Sequence, residues 1–90
     1  MTRTWLVRVL VDTRGQATQE VTSSIRRRFA CWPGASVVTD SYLLIHVTAT
    51  TDLLTPDEAQ GVGAYLETAV RMEGRQAGCE QAVVRLTSVE

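Results

Sequence analysis

The stretch VVTDSYLLIHVTAT, residues 37–50, decides how the rest of the chain is arranged. It predicts two strands joined by a tight turn at Asp40-Ser41, because β-branched and apolar residues lie on both sides of this polar pair. The second strand, Tyr42–Ala49, begins with four apolar residues and then carries the only histidine, His46. Successive side chains of a strand point to opposite faces. The predicted core face is Leu43, Ile45, Val47 and Ala49, and the opposite face is Tyr42, Leu44, His46 and Thr48.

Outward from this hairpin, the chain alternates strands with amphipathic helices. These are predicted over Thr4–Asp12 (strand), Gln16–Ala30 (helix), Thr55–Met72 (helix) and Glu80–Val89 (strand). The second helix has the clearest start, because Thr55 can cap it, Pro56 occupies its first position and Glu58 follows three residues after the cap. Gly74 is the predicted C-cap of this helix, and Gly63 beside its apolar stripe is expected to allow close packing on the sheet.

The order strand-helix-strand-strand-helix-strand predicts a two-layer α+β sandwich. The simplest arrangement is the ferredoxin-like βαββαβ fold, a split βαβ unit with a four-stranded antiparallel sheet in the order 4-1-3-2. Right-handed crossovers then place both helices on one face of the sheet. Residues 1–90 are expected to form a single domain with one core.

Helices on one face leave the opposite face of the sheet uncovered. By alternation, this helix-free face carries Thr4, Leu6, Arg8, Leu10, Tyr42, Leu44, His46, Thr48, Val83, Arg85 and Thr87. Its aliphatic content is too high for a plain solvated face and is typical of a contact surface. The residues predicted to form the ligand or interface site are Leu6, Arg8, Tyr42, Leu44, His46 and Arg85.

The sequence contains no recognisable catalytic set, metal-ligand spacing or phosphate loop, so we predict no metal site and no cofactor. His46 has no histidine, cysteine or acidic cluster at a ligand spacing. A surface strand residue that is hydrogen-bonded to a neighbour is its simplest interpretation. Cys31 and Cys79 are far apart and are expected to be reduced, as in a cytoplasmic protein.

Charge and hydropathy argue against nucleic acid and membrane as partners. The formal net charge is −1, and no apolar segment approaches the roughly 18 residues that a membrane helix needs. All nine basic residues are arginine. The run Arg26-Arg27-Arg28 could contact an anion, although basic residues at a helix C-terminus also interact favourably with the helix dipole.

Two functional hypotheses follow from these patterns. The first is a small non-enzymatic interaction or regulatory module that forms a homodimer through the helix-free face or adds an edge strand to a protein partner. The alternative is a dimeric α+β barrel, acting as an enzyme or small-ligand binder, with a pocket lined by Arg8, Tyr42, His46 and Arg85. A dry, packed interface would favour the first hypothesis, and an enclosed polar cavity would favour the second.

Overall fold

The computed structural model describes all ninety residues and contains the six predicted elements in the predicted order. They are β1 (Arg3–Asp12), α1 (Thr18–Arg28), β2 (Ala35–Thr39), β3 (Leu44–Leu53), α2 (Pro56–Gln76) and β4 (Val83–Val89). The strands form one antiparallel sheet in the order β2-β3-β1-β4. The predicted ferredoxin-like α+β sandwich is therefore confirmed.

The core lies between the sheet and the two helices. Its thirteen buried residues are Val7, Val9, Val11, Val21, Ile25, Phe29, Ile45, Val47, Ala49, Leu66, Ala69, Val70 and Cys79. Within it the central strands bring Val9 opposite Val47 and Val11 opposite Ile45. A buried side chain of this size stabilises the fold by about 1.5–3 kcal/mol, so the β1–β3 pair contributes a large share of the apolar stabilisation.

The turn of the hairpin differs from the prediction. It is longer, because the Asp40 carboxylate accepts hydrogen bonds from the amides of Tyr42 and Leu44, at 2.8 and 3.0 Å. Leu43 adopts a left-handed conformation, with φ 64°, and β3 begins only at Leu44. Tyr42 and Leu43 are consequently 83% and 51% exposed. Tyr42 therefore lies in the turn and not in β3. The prediction that Leu43 lies in the core is wrong, whereas the faces assigned from Leu44 onward are correct.

The helix boundaries also shift by several residues. α1 begins later than predicted because Ala17, its N-cap, is left-handed with φ 55°. α2 continues past Met72 to Gln76. Gly74 is not the C-cap: it lies buried inside the helix, where an added Cβ would meet that of Ala82 at 3.7 Å. A small residue here lets the last turn of α2 approach the chain that leads into β4.

The predicted start of α2 and its close packing on the sheet are both present. Thr55 accepts the amide hydrogen of Glu58 at 3.2 Å and caps the helix. A Cβ on Gly63 would meet Leu86 Cδ2 at 3.0 Å and Val89 Cγ2 at 3.4 Å. Glycine at this position therefore lets α2 rest directly on β4.

Candidate functional site

The helix-free face is organised in rows that run across the strands. The central row contains Arg85 of β4, Leu10 of β1, His46 of β3 and Val38 of β2. Beside it lies a row of Val83, Asp12 and Leu44, and on the other side lies a row of Ser88, Arg8 and Thr48. The face therefore brings together five of the six predicted site residues: Leu6, Arg8, Leu44, His46 and Arg85.

Five aliphatic side chains remain accessible on this face. Leu6, Leu10 and Leu44 are half-buried, while Val38 and Val83 are 54% and 39% exposed. Val38 was missed in the prediction, which treated β2 as an edge strand of mixed character. The hairpin register could have revealed it, because Val38 is the direct partner of His46.

Two shallow depressions lie on the face and meet at Leu10. One, of about 200 Å³, is lined by Arg8, Val9, Leu10, His46, Thr48 and Thr87. The other, of about 290 Å³, is lined by Leu10, Asp12, Arg14, Leu44, Val83 and Arg85. Arg8 and Arg85, which were predicted to line one pocket, therefore lie in different depressions.

A register shift between β1 and β4 lies next to Arg8. Arg85 lies opposite Leu10, whereas Arg8 lies opposite Ser88, so Thr87 is the additional residue of a β-bulge. The Thr87 hydroxyl donates a hydrogen bond to the Arg8 carbonyl oxygen at 3.1 Å. The strand alternation alone could not predict this bulge, because nothing in the alternation from Val83 to Thr87 indicates an unpaired residue.

His46 has a fixed partner, the carboxylate of Asp40. The Nε2 atom of His46 lies 2.8 Å from Asp40 Oδ2, while Oδ1 of the same carboxylate holds the turn. The hydrogen bond from His46 lowers the pKa of Asp40; partial burial opposes this effect, and the amides of Leu44 and Tyr42 assist it. The Asp40–His46 pair therefore fastens the hairpin turn to the edge of the helix-free face. The hydrogen-bonded neighbour that was expected for His46 is therefore present. The sequence did not identify it as Asp40, because Asp40 was predicted to belong to a two-residue turn.

The three consecutive arginines of α1 point to different partners. Arg26 donates hydrogen bonds from Nε and Nη2 to the carbonyl oxygen of Val37, at 3.3 and 3.0 Å. Arg28 Nη1 lies 3.8 Å from the carboxylate of Glu73. Arg27 lines a polar groove between the two helices. Two of the three are engaged within the chain, and an anion contact by this run stays a prediction.

The contact of Arg26 also occupies part of the free edge of β2. The Thr50 amide donates to the Gly34 carbonyl oxygen at 3.0 Å. In an antiparallel pair the backbone groups of alternate residues point toward the neighbouring strand. Because those of Gly34 point toward β3 and Val37 is three positions later, the backbone groups of Val37 point away from β3. The guanidinium of Arg26 occupies the outward carbonyl group in the middle of this five-residue strand.

The other edge of the sheet is occupied in the same way. Glu67 of α2 accepts the outward amide hydrogen of Leu86 at 3.0 Å through Oε2, while its Oε1 atom binds Arg71 at 3.0 Å. Charged side chains that cover an edge strand hinder its pairing with another chain. Both edges carry such a side chain, so the helix-free face is the more accessible contact surface.

The structure adds no catalytic or metal-binding arrangement to this surface. Nowhere do three His, Cys, Asp or Glu side chains come together in a way that could hold a metal ion. Cys31 and Cys79 are both free thiols. Neither helix combines the length and the apolar character needed to cross a membrane.

Comparison with protein-family models, with curated proteins and with solved structures gave no match.

Proposed function

We propose that this protein is a small, non-enzymatic cytoplasmic interaction module that forms a homodimer through its helix-free face. The observation that carries the proposal is the accessible aliphatic patch on that face, whose members are Leu6, Leu10, Val38, Leu44 and Val83. Contiguous apolar surface of this kind marks contact sites in soluble proteins. The closed edges further favour a partner that sits on the face over one that extends the sheet.

The size of the face limits the affinity to be expected. Four strands about 4.8 Å apart, each with about seven residues rising about 3.3 Å, give a flat area of roughly 440 Å² per subunit. Standard interfaces bury about 800 Å² per partner, and weak or transient ones bury less. An interface of this size belongs to the weak, reversible class, so we expect the chain to be largely monomeric at about 1 μM and to dimerise as its concentration rises toward about 1 mM.

The test is a measurement of molar mass by light scattering, between about 1 μM and 1 mM protein, for the natural chain and for Leu10→Asp. We expect the natural chain to shift from monomer to dimer over this range, and Leu10→Asp to stay monomeric because it places a charge in the centre of the apolar patch. Tyr65→Asp is the matched control, since Tyr65 is 52% exposed but lies on α2. A natural chain that stays monomeric at 1 mM, or a Leu10→Asp variant that dimerises normally, contradicts the proposal.

A second candidate, binding of a small anion such as a carboxylate or phosphate, is favoured by the smaller depression. Arg8 and His46 both line it, and Arg8 forms no ion pair within the chain. A guanidinium without an internal partner is suited to an oxyanion. Of the four residues that were predicted to line one pocket, only Arg8 and His46 line this depression. Tyr42 lines neither depression, and Arg85 lines the other one.

This candidate is tested by adding inorganic phosphate while the ring resonances of His46 are followed by NMR. Saturable shifts that disappear in Arg8→Met are expected if the depression binds anions. Arg27→Met is the matched control, because Arg27 lies on the helix layer. Equal shifts in both variants would show non-specific screening by salt.

A further inference from the structure

We infer that the two subunits pack face to face about a two-fold axis that passes between the two copies of Leu10 and runs across the strands. Arg8 of each subunit then pairs with Asp12 of the other. This inference rests on the proposed homodimer and specifies its register. It starts from the part of β1 that lies on the helix-free face, where Arg8, Leu10 and Asp12 occupy successive positions.

This segment of β1 is self-complementary. In a two-fold symmetric interface the same patch is used twice, so a residue that contacts a second one is itself contacted by that residue's copy. When two copies of β1 cross face to face in opposite directions about Leu10, position 8 meets position 12 on both sides. A positive charge then meets a negative charge twice, and a leucine meets a leucine between them.

Both charged groups are free to make this contact. Arg8 has no ion-pair or side-chain hydrogen-bond partner in the subunit. Asp12 uses only Oδ1, which accepts the amide hydrogen of Arg14 at 2.8 Å, and its second oxygen is left without a partner. The pairing would therefore engage a cation and a carboxylate oxygen that have no partner in the monomer.

The distance between packed sheets suits these side chains. Face-to-face sheets lie about 10 Å apart, a gap that a long arginine opposite a short aspartate can span. Two leucines at the axis fill the same gap with apolar atoms. Residues two apart on a strand lie about 6.6–6.8 Å from each other along it, so the ion pairs flank the leucines without crowding them.

The other symmetric arrangement of the two sheets, with the axis along the strands, is less favourable. It would place β1 over β3 of the partner, with Arg8 against Thr48 and Asp12 against Leu44, since these are cross-strand partners in the sheet. Arg8 would then be covered by Thr48 without an opposite charge, which is destabilising. The register about Leu10 avoids this cost.

The same register distinguishes the two arginines of the face. Arg85 lies in the row of Leu10, so across the axis it meets Arg85 of the partner subunit. This like-charge contact lies on an edge strand, where the side chains can extend toward water, and it weakens association slightly. Arg85→Ala should therefore leave the dissociation constant unchanged or lower it by about two- to five-fold, whereas Arg8→Ala should raise it.

The decisive experiment uses Arg8→Asp and Asp12→Arg, separately and mixed, with molar mass measured by light scattering and subunit composition by native mass spectrometry. In a homodimer of either variant, both contacts between position 8 and position 12 join two like charges. The dissociation constant should therefore rise by about ten-fold or more. In the equimolar mixture, a chain with aspartate at both positions can face a chain with arginine at both positions, so that both contacts join opposite charges. The mixture should therefore form a one-to-one heterodimer with near-natural affinity, and the doubly substituted chain should form homodimers again.

Circular dichroism checks that each variant is folded, since Asp12 also holds the turn before α1. If Asp12→Arg does not fold, Asp12→Asn replaces it, because its amide oxygen can still accept the Arg14 amide hydrogen. Arg8→Met and Asp12→Asn should then each weaken the dimer, and the double variant should be no weaker than either one.

A natural dimer that neither charge reversal affects, or a mixture that stays monomeric, overturns this register while leaving the proposed homodimer intact. A natural chain that is monomeric at 1 mM overturns both.

Discussion

The two faces of the sheet are built from the same strands but follow different rules. On the covered side, β1 from Trp5 onward presents Trp5, Val7, Val9 and Val11, and all four are buried. On the helix-free side the same strand presents Leu6, Arg8, Leu10 and Asp12, in which apolar and charged residues alternate. A face covered by its own helices can be uniformly apolar, whereas a face that is exposed in the monomer needs charges for solubility. The alternation also restricts which surfaces can cover it, because each charge requires an opposite charge in register.

The largest expected effect comes from shortening a side chain on the covered face. Ile45 is fully buried and lies opposite Val11. Ile45→Ala removes apolar contacts and leaves a cavity, so we expect the free energy of unfolding to fall by about 3 kcal/mol. The measurement is urea unfolding followed by circular dichroism, at a concentration where light scattering finds only monomer.

Leu44→Ala is the matched control for this comparison. Leu44 precedes Ile45 on β3, is half-buried and faces the helix-free side. In the monomer its truncation should cost no more than about 1 kcal/mol, because water already reaches much of the side chain. In the dimer it should weaken association. Equal losses of monomer stability in the two variants would contradict the difference between the faces.

Most of the fold could be predicted from the sequence because it depends on patterns with a clear physical period. The valines of β1 and the Ile45–Ala49 segment show the period of two that a half-covered strand requires. The capped start at Thr55 and the repeated apolar positions of the helices established the remaining order. Chain order together with right-handed crossovers then determined the arrangement of the sheet.

The details of the site were harder to predict because they depend on local departures from these periods. The Asp40 carboxylate lengthens the hairpin turn and places Tyr42 in the turn, before β3 begins. A single unpaired residue, Thr87, shifts the register at the end of β4 and places Ser88 opposite Arg8. Both departures arise from individual hydrogen bonds, which alternation does not encode. The role of Asp40 was missed for the same reason, whereas Asp12 follows Leu10 in the regular alternation of β1 and could have been assigned to this face from the sequence.

A smaller effect is expected at the edge of the helix-free face, where the Asp40–His46 pair should make stability depend on pH. The pKa of Asp40 is lowered in the folded protein, first by the hydrogen bond from His46 and also by the amides of the turn. A carboxyl group with a lowered folded-state pKa stabilises the fold above its unfolded pKa, about 3.9, and this stabilisation is lost as the pH falls through the folded-state value. The Asp40→Asn substitution therefore traces the effect to this turn.

The measurement is the thermal midpoint of the natural chain and of Asp40→Asn, between about pH 6 and pH 2, at low protein concentration. Asparagine can still accept the turn amides but carries no charge. The natural chain should therefore be the more stable at pH 6, and the difference should shrink as the solution becomes acidic. In a His46→Gln background, which removes the largest cause of the lowered pKa, the change in this difference with pH should be smaller. A difference that is constant from pH 6 to pH 2 would show that Asp40 acts only through the geometry of the turn.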